Sequence, residues 1–318
     1  MGFSIVGTGS ALPERAVTND QLGEFLDTSD AWIRPRTGIA ERRVCTTETL
    51  DDLALLASQR ALASASVTPG QLDLIVCCTT SADHLMPAEA CAIAELLGAS
   101  CPAFDVSAAC AGFVFALDVA DGWFARGRAQ HVLVVAAEKF SRLLDWSDRS
   151  TAVLFGDGAA AAVLAPGDGV LSLRLSTQPD VEALHVPGLS GNSPFDQTAK
   201  PPSQLKMDGR RVFKFGVTTI CSSVDAMCAD AQIKPSQIDH FVFHQANERI
   251  LAAAVRRLGI DNGKVARTLE KTGNISSACI PLALDSLARN GELKPGDLVA
   301  MVGFGAGLDT GACLIKWG

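Results

Sequence analysis

The residues of this 318-residue chain whose types and spacing suit covalent chemistry are a cysteine, a histidine and an asparagine: Cys110, His244 and Asn274. Cys110 lies in "FDVSAACAGFVFAL" (104–117), after the short apolar run "CPAFDV" and before Phe113, Ala116, Leu117 and Ala120, which recur at helical spacing. That pattern predicts a buried strand turning into a helix, with Ser107 as N-cap. A thiol in the first helical turn meets unpaired backbone N–H groups and the positive end of the helix dipole, which lower its pKa and favour the nucleophilic thiolate. The competing reading of Cys110 is a small buried side chain filling a core gap, the commoner fate of cysteine. His244 closes the apolar run "HFVFH", and Asn274 follows Gly273. Taken singly, these suit a core histidine and a turn residue.

An internal repeat supplies the elements that would position them. "TPGQLDLIVCC" (68–78) matches "KPSQIDHFVFH" (234–244) at an offset of 166, pairing Pro69 with Pro235, Asp73 with Asp239 and Val76 with Val242. "ALDVA" (116–120) answers "ALDSLA" (283–288), and "HVLVV" (131–135) answers "LVAMV" (298–302), both at 167. Two halves, 1–165 and 166–318, therefore repeat strand, helix, strand. Helices are expected over 50–65, 110–126, 212–231, 247–259 and 277–289, alternating with strands buried on both faces, an α/β arrangement. In such sheets sites form beyond the carboxyl ends of strands. By the repeat, Cys78 corresponds to His244 and Ser107 to Asn274, so a pseudo-twofold would bring Cys110 opposite His244 and Asn274.

Composition narrows the function classes. The chain is 48% hydrophobic and 19% charged, with a formal net charge of −8, which disfavours bulk binding to nucleic acid or anionic membranes. No apolar run of about 18 residues predicts a membrane span. "MGFSIVGTGS" lacks a basic signal region and misses the myristoylation pattern. Ten scattered cysteines without a CxxC pair read as reduced thiols of a cytoplasmic protein and argue against structural zinc. His240 and His244 lack the glutamate of HExxH, so no metal is expected there. "VGTGSAL" (6–12) lacks the third glycine of a dinucleotide fingerprint, and "GFGAGLDTG" (303–311) leaves too little chain for the fold that motif needs. The latter predicts a tight turn into a last strand "ACLIKW", with backbone N–H groups able to face the cysteine. Residues 186–205 carry four prolines and read as a loop, either a surface connection or a flap over a site.

"DAWIRPRTGI" (30–39), "DVSAACAGF" (105–113), "FGDGAAAAV" (155–163), "MDGRRVFKF" (207–215), "HQANERI" (244–250) and "GNISSACIPLAL" (273–284) occur in that order. With them nearly the whole chain resembles β-ketoacyl-[acyl-carrier-protein] synthase III, a thiolase-fold condensing enzyme family. The resemblance implies an α/β fold of two pseudo-symmetric halves in five layers, α-β-α-β-α. It implies initiation of type II fatty-acid synthesis from acyl-CoA and malonyl-acyl carrier protein, without metal or redox cofactor, by a homodimer. Cys110 would be acylated as a thioester, and His244 and Asn274 would donate hydrogen bonds to the malonyl thioester carbonyl as CO₂ leaves. The Cys110 N–H and one from Gly305, Ala306 or Gly307 would hold the tetrahedral oxyanion. Trp32, Arg36, Arg149, Gly209, Phe213 and Asn247 would bind coenzyme A. Lys214, Arg249, Arg256 and Arg257 would dock the acidic carrier protein, Arg249 and Arg256 lying on one helix face.

Three departures bear on the primer. Arg210 stands where the family often has Asn, Leu308-Asp309 alters the last glycine turn, and Met86 occupies a place often held by Phe, at the position that floors the partner's acyl pocket. The rivals are a condensing or acyl-transferring paralogue of secondary metabolism and a non-catalytic scaffold. A papain-like protease shares the order Cys, His, Asn but carries a different cysteine neighbourhood.

Overall fold

Apolar strands and capped helices alternate along the chain; the computed structural model describes residues 2–188, 195 and 203–318. The first part contains β1 (Gly2–Ala11), β2 (Ala16–Thr18), α1 (Asn19–Gly23), α2 (Asp30–Thr37), β3 (Glu41–Arg43), α3 (Leu50–Ala65), β4 (Leu74–Cys78), α4 (Glu89–Leu97), β5 (Ala103–Val106), α5 (Gly112–Ala125), β6 (Val132–Lys139) and β7 (Asp157–Gly167). The second adds β8 (Val170–Thr177), β9 (Leu184–His185), β10 (Lys206–Met207), α6 (Gly209–Ala231), β11 (His240–Phe243), α7 (Glu248–Leu258), α8 (Leu269–Thr272), α9 (Cys279–Arg289), β12 (Leu298–Gly305) and β13 (Asp309–Lys316).

Local chemistry sets the helix ends. Thr49 and Asp52 form a capping box at the start of α3, and Ser66 closes it in a left-handed conformation, φ 55°. Asp208 caps α6 by accepting from the N–H groups of Arg210 and Arg211, so this helix begins three residues before its expected start at 212. Gln232 ends α6 at the same φ of 55°, 166 residues after Ser66.

Two mixed sheets follow the same plan. The first runs β1-β7-β6-β4-β5 and the second β8-β13-β12-β11, with a parallel bridge from Phe241 to Val265 at the edge corresponding to β5. In each, the repeat-matched strand (β4 or β11) lies parallel to its neighbour (β6 or β12), which then pairs antiparallel with the next (β7 or β13). Helices α3 and α4 cover the outer face of the first sheet, α6 and α7 that of the second, and α5 and α9 lie between the sheets. The result is the five-layered α-β-α-β-α thiolase arrangement. β7 continues to Gly167, two residues past the boundary drawn at 165.

The core divides accordingly. Phe113, Leu117 and Phe124 of α5 meet Leu282, Ala283 and Leu284 of α9 in the central layer, where small residues let the helices lie close to both sheets. Buried Asp285 of α9 accepts from Thr8 Oγ1 (3.0 Å) and Ser10 Oγ (2.5 Å) of β1 and pairs with Arg289 at 2.9 Å, joining the second part of the chain to the first. One described helix, α6, is long and apolar enough to cross a membrane by length and composition, contrary to the expectation that no run would qualify. It lies on β8, β12 and β13 with Ile220, Val224 and Met227 buried, so its apolarity serves the core. Most of 186–205, the expected loop, lies outside the described residues.

Candidate active site

Cys110 sits in a 3₁₀ turn, Ala109–Ala111, that leads from β5 into α5. The turn is tight: Ala109 has φ 44°. Ser107 does not cap the helix; Ala108 and Ala111 occupy the cap positions without side-chain bonds, and Ser107 instead lines a cavity beside the thiol. Glycines on β12 let this turn rest on the strand. A Cβ on Gly303 would lie 2.9 Å from Ala111 Cα, and one on Gly305 would lie 2.8 Å from Cys110 N. Cys110 is only 4% exposed, and burial pushes its thiol up to about 12, with the Ser276 hydroxyl, 3.4 Å away, pulling the other way. The expected lowering at the helix start is thus reversed: desolvation outweighs the dipole, and the resting thiol keeps its proton.

His244 follows β11 and is anchored through its N–H to the Val302 carbonyl (2.9 Å). Its ring meets Phe304 edge to face at 5.2 Å between centroids, and Nδ1 is buried without a partner. Burial lowers the imidazole to about 3, so it is neutral at physiological pH and one ring nitrogen bears a hydrogen to donate. Asn274 is pinned by its backbone, donating to Leu154 O (2.9 Å) and accepting from Gly156 N (3.0 Å). Its Oδ1 accepts from Ser276 N at 2.9 Å and faces the Cys279 thiol at 3.6 Å. Among the described residues Nδ2 has no partner, leaving its hydrogens for a ligand. A cavity of about 110 Å³ gathers Cys110, His244 and Asn274 with Phe304 and Gly305. Its chemistry is a thiol facing two hydrogen-bond donors in a dry setting.

The other expected residues fall in distinct places. Of the glycine turn, Gly305 lies against Cys110, Ala306 borders a second cavity, and Gly307 faces the Asp309 carboxylate. β13 begins at Asp309, before the expected "ACLIKW". Gly209 and Phe213 on α6 and Asn247, the N-cap of α7, line the small cavity. Trp32, Arg36 and Arg149 do not line it: Arg36 of α2 and Arg149, from the segment between β6 and β7, stack on Trp32 of α2, their guanidinium carbons 4.7 and 5.1 Å from the indole centroid. Lys214, Arg249, Arg256 and Arg257 are exposed, and Arg249 lies 6.0 Å over Phe213 at the mouth. Arg210 is exposed beside its cap, Asp208.

The second cavity, about 800 Å³, also reaches Cys110, shares Phe155 and Leu184 with the first, and extends past Thr79, Ser81 and Ser107 to His84 and Leu85. Met86 next to it is 85% exposed, as is Leu85. Among the described residues one carboxylate group, Asp51, Asp83 and Glu89, has the closeness of a cation site. Asp83 is already engaged by Arg142 and by the N–H groups of Leu50 and Asp51, and burial holds Glu89 up at about 8. Sequence reasoning missed Glu138, Ser276 and Phe304. Ser276 and Phe304 carried a signal, Ser276 lying within "GNISSACIPLAL" two residues from Asn274 and Phe304 within "GFGAGLDTG".

Residues 104–179 match the family model for 3-oxoacyl-[acyl-carrier-protein (ACP)] synthase III, and 228–317 match the model for its C-terminal part. The β-ketoacyl-[acyl-carrier-protein] synthase III of Clostridium acetobutylicum is 42% identical, the alignment covering 98% of each chain. The structure of 3-oxoacyl-[acyl-carrier-protein] synthase III from Aquifex aeolicus superposes with a TM-score of 0.92 at 39% identity over 99% of this chain and 100% of its own. The priming β-ketosynthase of the R1128 polyketide pathway also superposes, with a TM-score of 0.92 at 38% identity over 99% of this chain and 96% of its own.

Proposed function

This chain belongs to the 3-oxoacyl-[acyl-carrier-protein] synthase III family, and from that premise we propose that Cys110, His244 and Asn274 run the initiating condensation of type II fatty-acid synthesis. The observation that carries the proposal is the convergence on one cavity of the Cys110 thiol, the His244 imidazole, whose Nδ1 is buried without a partner, and the Asn274 amide. The Cys110 sulfur attacks the thioester carbonyl of acyl-CoA, coenzyme A leaves, and the acyl group remains as a thioester. Malonyl-acyl carrier protein then enters. His244 and Asn274 donate to its thioester carbonyl, loss of CO₂ leaves an enolate on that oxygen, and its carbon attacks the acyl-Cys110. The neutral state of His244 suits this work, since a neutral donor needs no proton uptake from solvent. Cys110 N–H and the Gly305–Gly307 turn hold the tetrahedral oxyanion. The product is 3-oxoacyl-acyl carrier protein, and neither metal nor redox cofactor enters these steps.

Trp32 and Arg149 part to stack the adenine, Arg36 meets phosphate, and Gly209, Phe213 and Asn247 line the pantetheine arm. Lys214, Arg249, Arg256 and Arg257 steer the acidic carrier protein. The halves 1–165 and 166–318 supply the nucleophile and the two donors respectively. A cytoplasmic homodimer is the working form, with exposed Leu85 and Met86 reaching the partner's acyl cavity; Met86 in place of an aromatic widens the choice of primer.

Intact-protein mass after incubation with a panel of acyl-CoAs tests this, with Cys110→Ala as control. A single acyl adduct, absent from the variant and discharged by malonyl-carrier protein into a β-ketoacyl product, is the expected result and names the primer. Adducts that malonyl-carrier protein fails to discharge would instead favour acyl transfer in secondary metabolism.

A further inference from the structure

Asn274 acts through a side-chain amide, and the aim of that amide is set by the backbone that carries it. Residues 154–156 hold this backbone. Asn274 N–H donates to Leu154 O at 2.9 Å, Gly156 N–H donates to Asn274 O at 3.0 Å, and Phe155 forms a parallel bridge to Asn274. These three residues precede β7 and belong to no helix or strand of their own. Their place depends on a neighbour, and that neighbour is Arg42.

Arg42 lies on β3 opposite Val17 of β2 and is fully buried. Its guanidinium spans three segments: Nη1 donates to Val17 O at 3.0 Å, and Nη2 donates to Val153 O at 2.9 Å and to Asn19 Oδ1 at 2.7 Å. Asn19 is oriented in turn, its Nδ2 donating to Asp30 Oδ1 and to Ile39 O, each at 2.8 Å. Arg42 also lies against the residue before Asn274. Gly273 has φ 68°, and a Cβ there would stand 2.9 Å from Arg42 Cβ; one on Gly156 would stand 3.4 Å from the same atom. Among the described residues no carboxylate comes within ion-pair distance of Arg42, and its Nε is buried without a partner. Taking such a cation out of water without a counter-charge weakens a fold. What it supplies is geometry, because a planar fork of donors fixes several carbonyls at once, which neither an apolar side chain nor a lysine does.

We propose that Arg42 is a positioning residue for the Asn274 amide, holding Val153 and with it residues 154–156 in the register that aims Asn274 at the malonyl thioester oxygen. The proposal rests on the condensing reading above, in which Asn274 donates to the developing enolate. Arg42 lines neither cavity at the site, so it acts only through the backbone it fixes. Its effect therefore falls on the decarboxylating step. Acylation of Cys110 calls on neither donor and depends on Arg42 far less.

A double-mutant cycle tests this, with malonyl-carrier protein as substrate, CO₂ release as the readout, and Arg42→Met, Asn274→Ala and the two combined as variants. Arg42→Met is expected to slow decarboxylation about 10- to 10²-fold, the loss that a displacement near 1 Å brings. Arg42→Lys keeps the charge without the fork and should lie between Arg42→Met and wild type. In the Asn274→Ala background Arg42→Met should cost little more, because the group it aims is already gone. Cys110 acylation in Arg42→Met, read by intact mass, should fall much less than decarboxylation. Losses that multiply in the combined variant would mean a general structural role and overturn the proposal. Equal losses in acylation and decarboxylation, alongside a lower melting temperature, would do the same, as would a wild-type rate in Arg42→Met. If Arg42→Met does not fold, Arg42→Lys takes its place in the cycle with the same outcomes. Wild-type decarboxylation in Asn274→Ala would sink the reading of Asn274 as a donor, and the role of Arg42 with it, a result distinct from all of these.

Discussion

Gly305→Ala probes how closely β12 supports the nucleophile. The added Cβ would stand 2.8 Å from Cys110 N, 3.0 Å from its Cβ and 3.3 Å from its Cα, where ordinary contacts begin near 3.4 Å. Two of these three are backbone atoms, so no rotamer change relieves them. Gly305 is paired to Asp309 of β13, and β12 is held on its other side by β11 as far as Val302, so the strand resists retreat. The Cys110 turn must therefore shift by roughly half an ångström. Overpacking of this kind costs about 1–3 kcal/mol. At about 2–4 °C per kcal/mol for larger domains, the melting temperature should fall by roughly 2–12 °C. Since a displacement of about 1 Å costs around 10² in rate, half of it predicts about a tenfold loss in acylation. Thermal unfolding and single-turnover mass spectrometry read the two effects separately. Gly122→Ala on α5 is the control: its Cβ meets nothing within 4 Å, and alanine there should stabilise by about 0.5–1 kcal/mol. A Gly305→Ala protein with wild-type melting temperature and acylation rate would refute the claim that the strand positions the thiol.

Three further outcomes follow from the site. His244 falls to about 3 in the folded protein from an ordinary value near 6.5, so between those pH values only the unfolded chain binds its proton. Stability should therefore drop as pH falls through that window, with a slope approaching about 1.4 kcal/mol per pH unit, and pH-dependent melting of His244→Gln should lack this component. Trp32→Ala removes the stacking face for adenine and should raise KM for acyl-CoA about 2- to 30-fold, from about 0.5–2 kcal/mol of stacking, with little change in kcat. Arg256→Glu with Arg257→Glu, two exposed positions, should slow the carrier-protein step more than the coenzyme A step; the difference should shrink as salt rises, and kinetics at two ionic strengths check it.

The repeat was legible because it depends on residue order. The offsets of 166 and 167 that align "TPGQLDLIVCC" with "KPSQIDHFVFH" recur as matching 3₁₀ turns, Pro69–Gln71 and Pro235–Gln237, and as matching left-handed residues, Ala109 and Ser276. Ser107 and Asn274 pair on the same arithmetic, and the turns that follow those residues adopt the same conformation. Ser107 nonetheless failed as a helix cap, because the turn at Ala109 delays the helix to Gly112. A propensity for capping cannot register that delay.

Sequence alone thus determined the α/β class, the family and the three residues at the centre of the site, since periodicity, internal repetition and motif order are properties of the chain itself. The protonation state of the site was decided by tertiary structure. A cysteine near a helix start implies a low pKa, yet Cys110 is buried and its thiol rises to about 12. The closeness of Gly305 to Cys110 and of the Ser276 hydroxyl to the Cys110 thiol are likewise invisible in one dimension. Cys110 and Ser276 are 166 residues apart, and Ser277 and Glu138 are 139. Desolvation and hydrogen bonding depend on which atoms surround a group, and those neighbours are assigned only when distant segments pack.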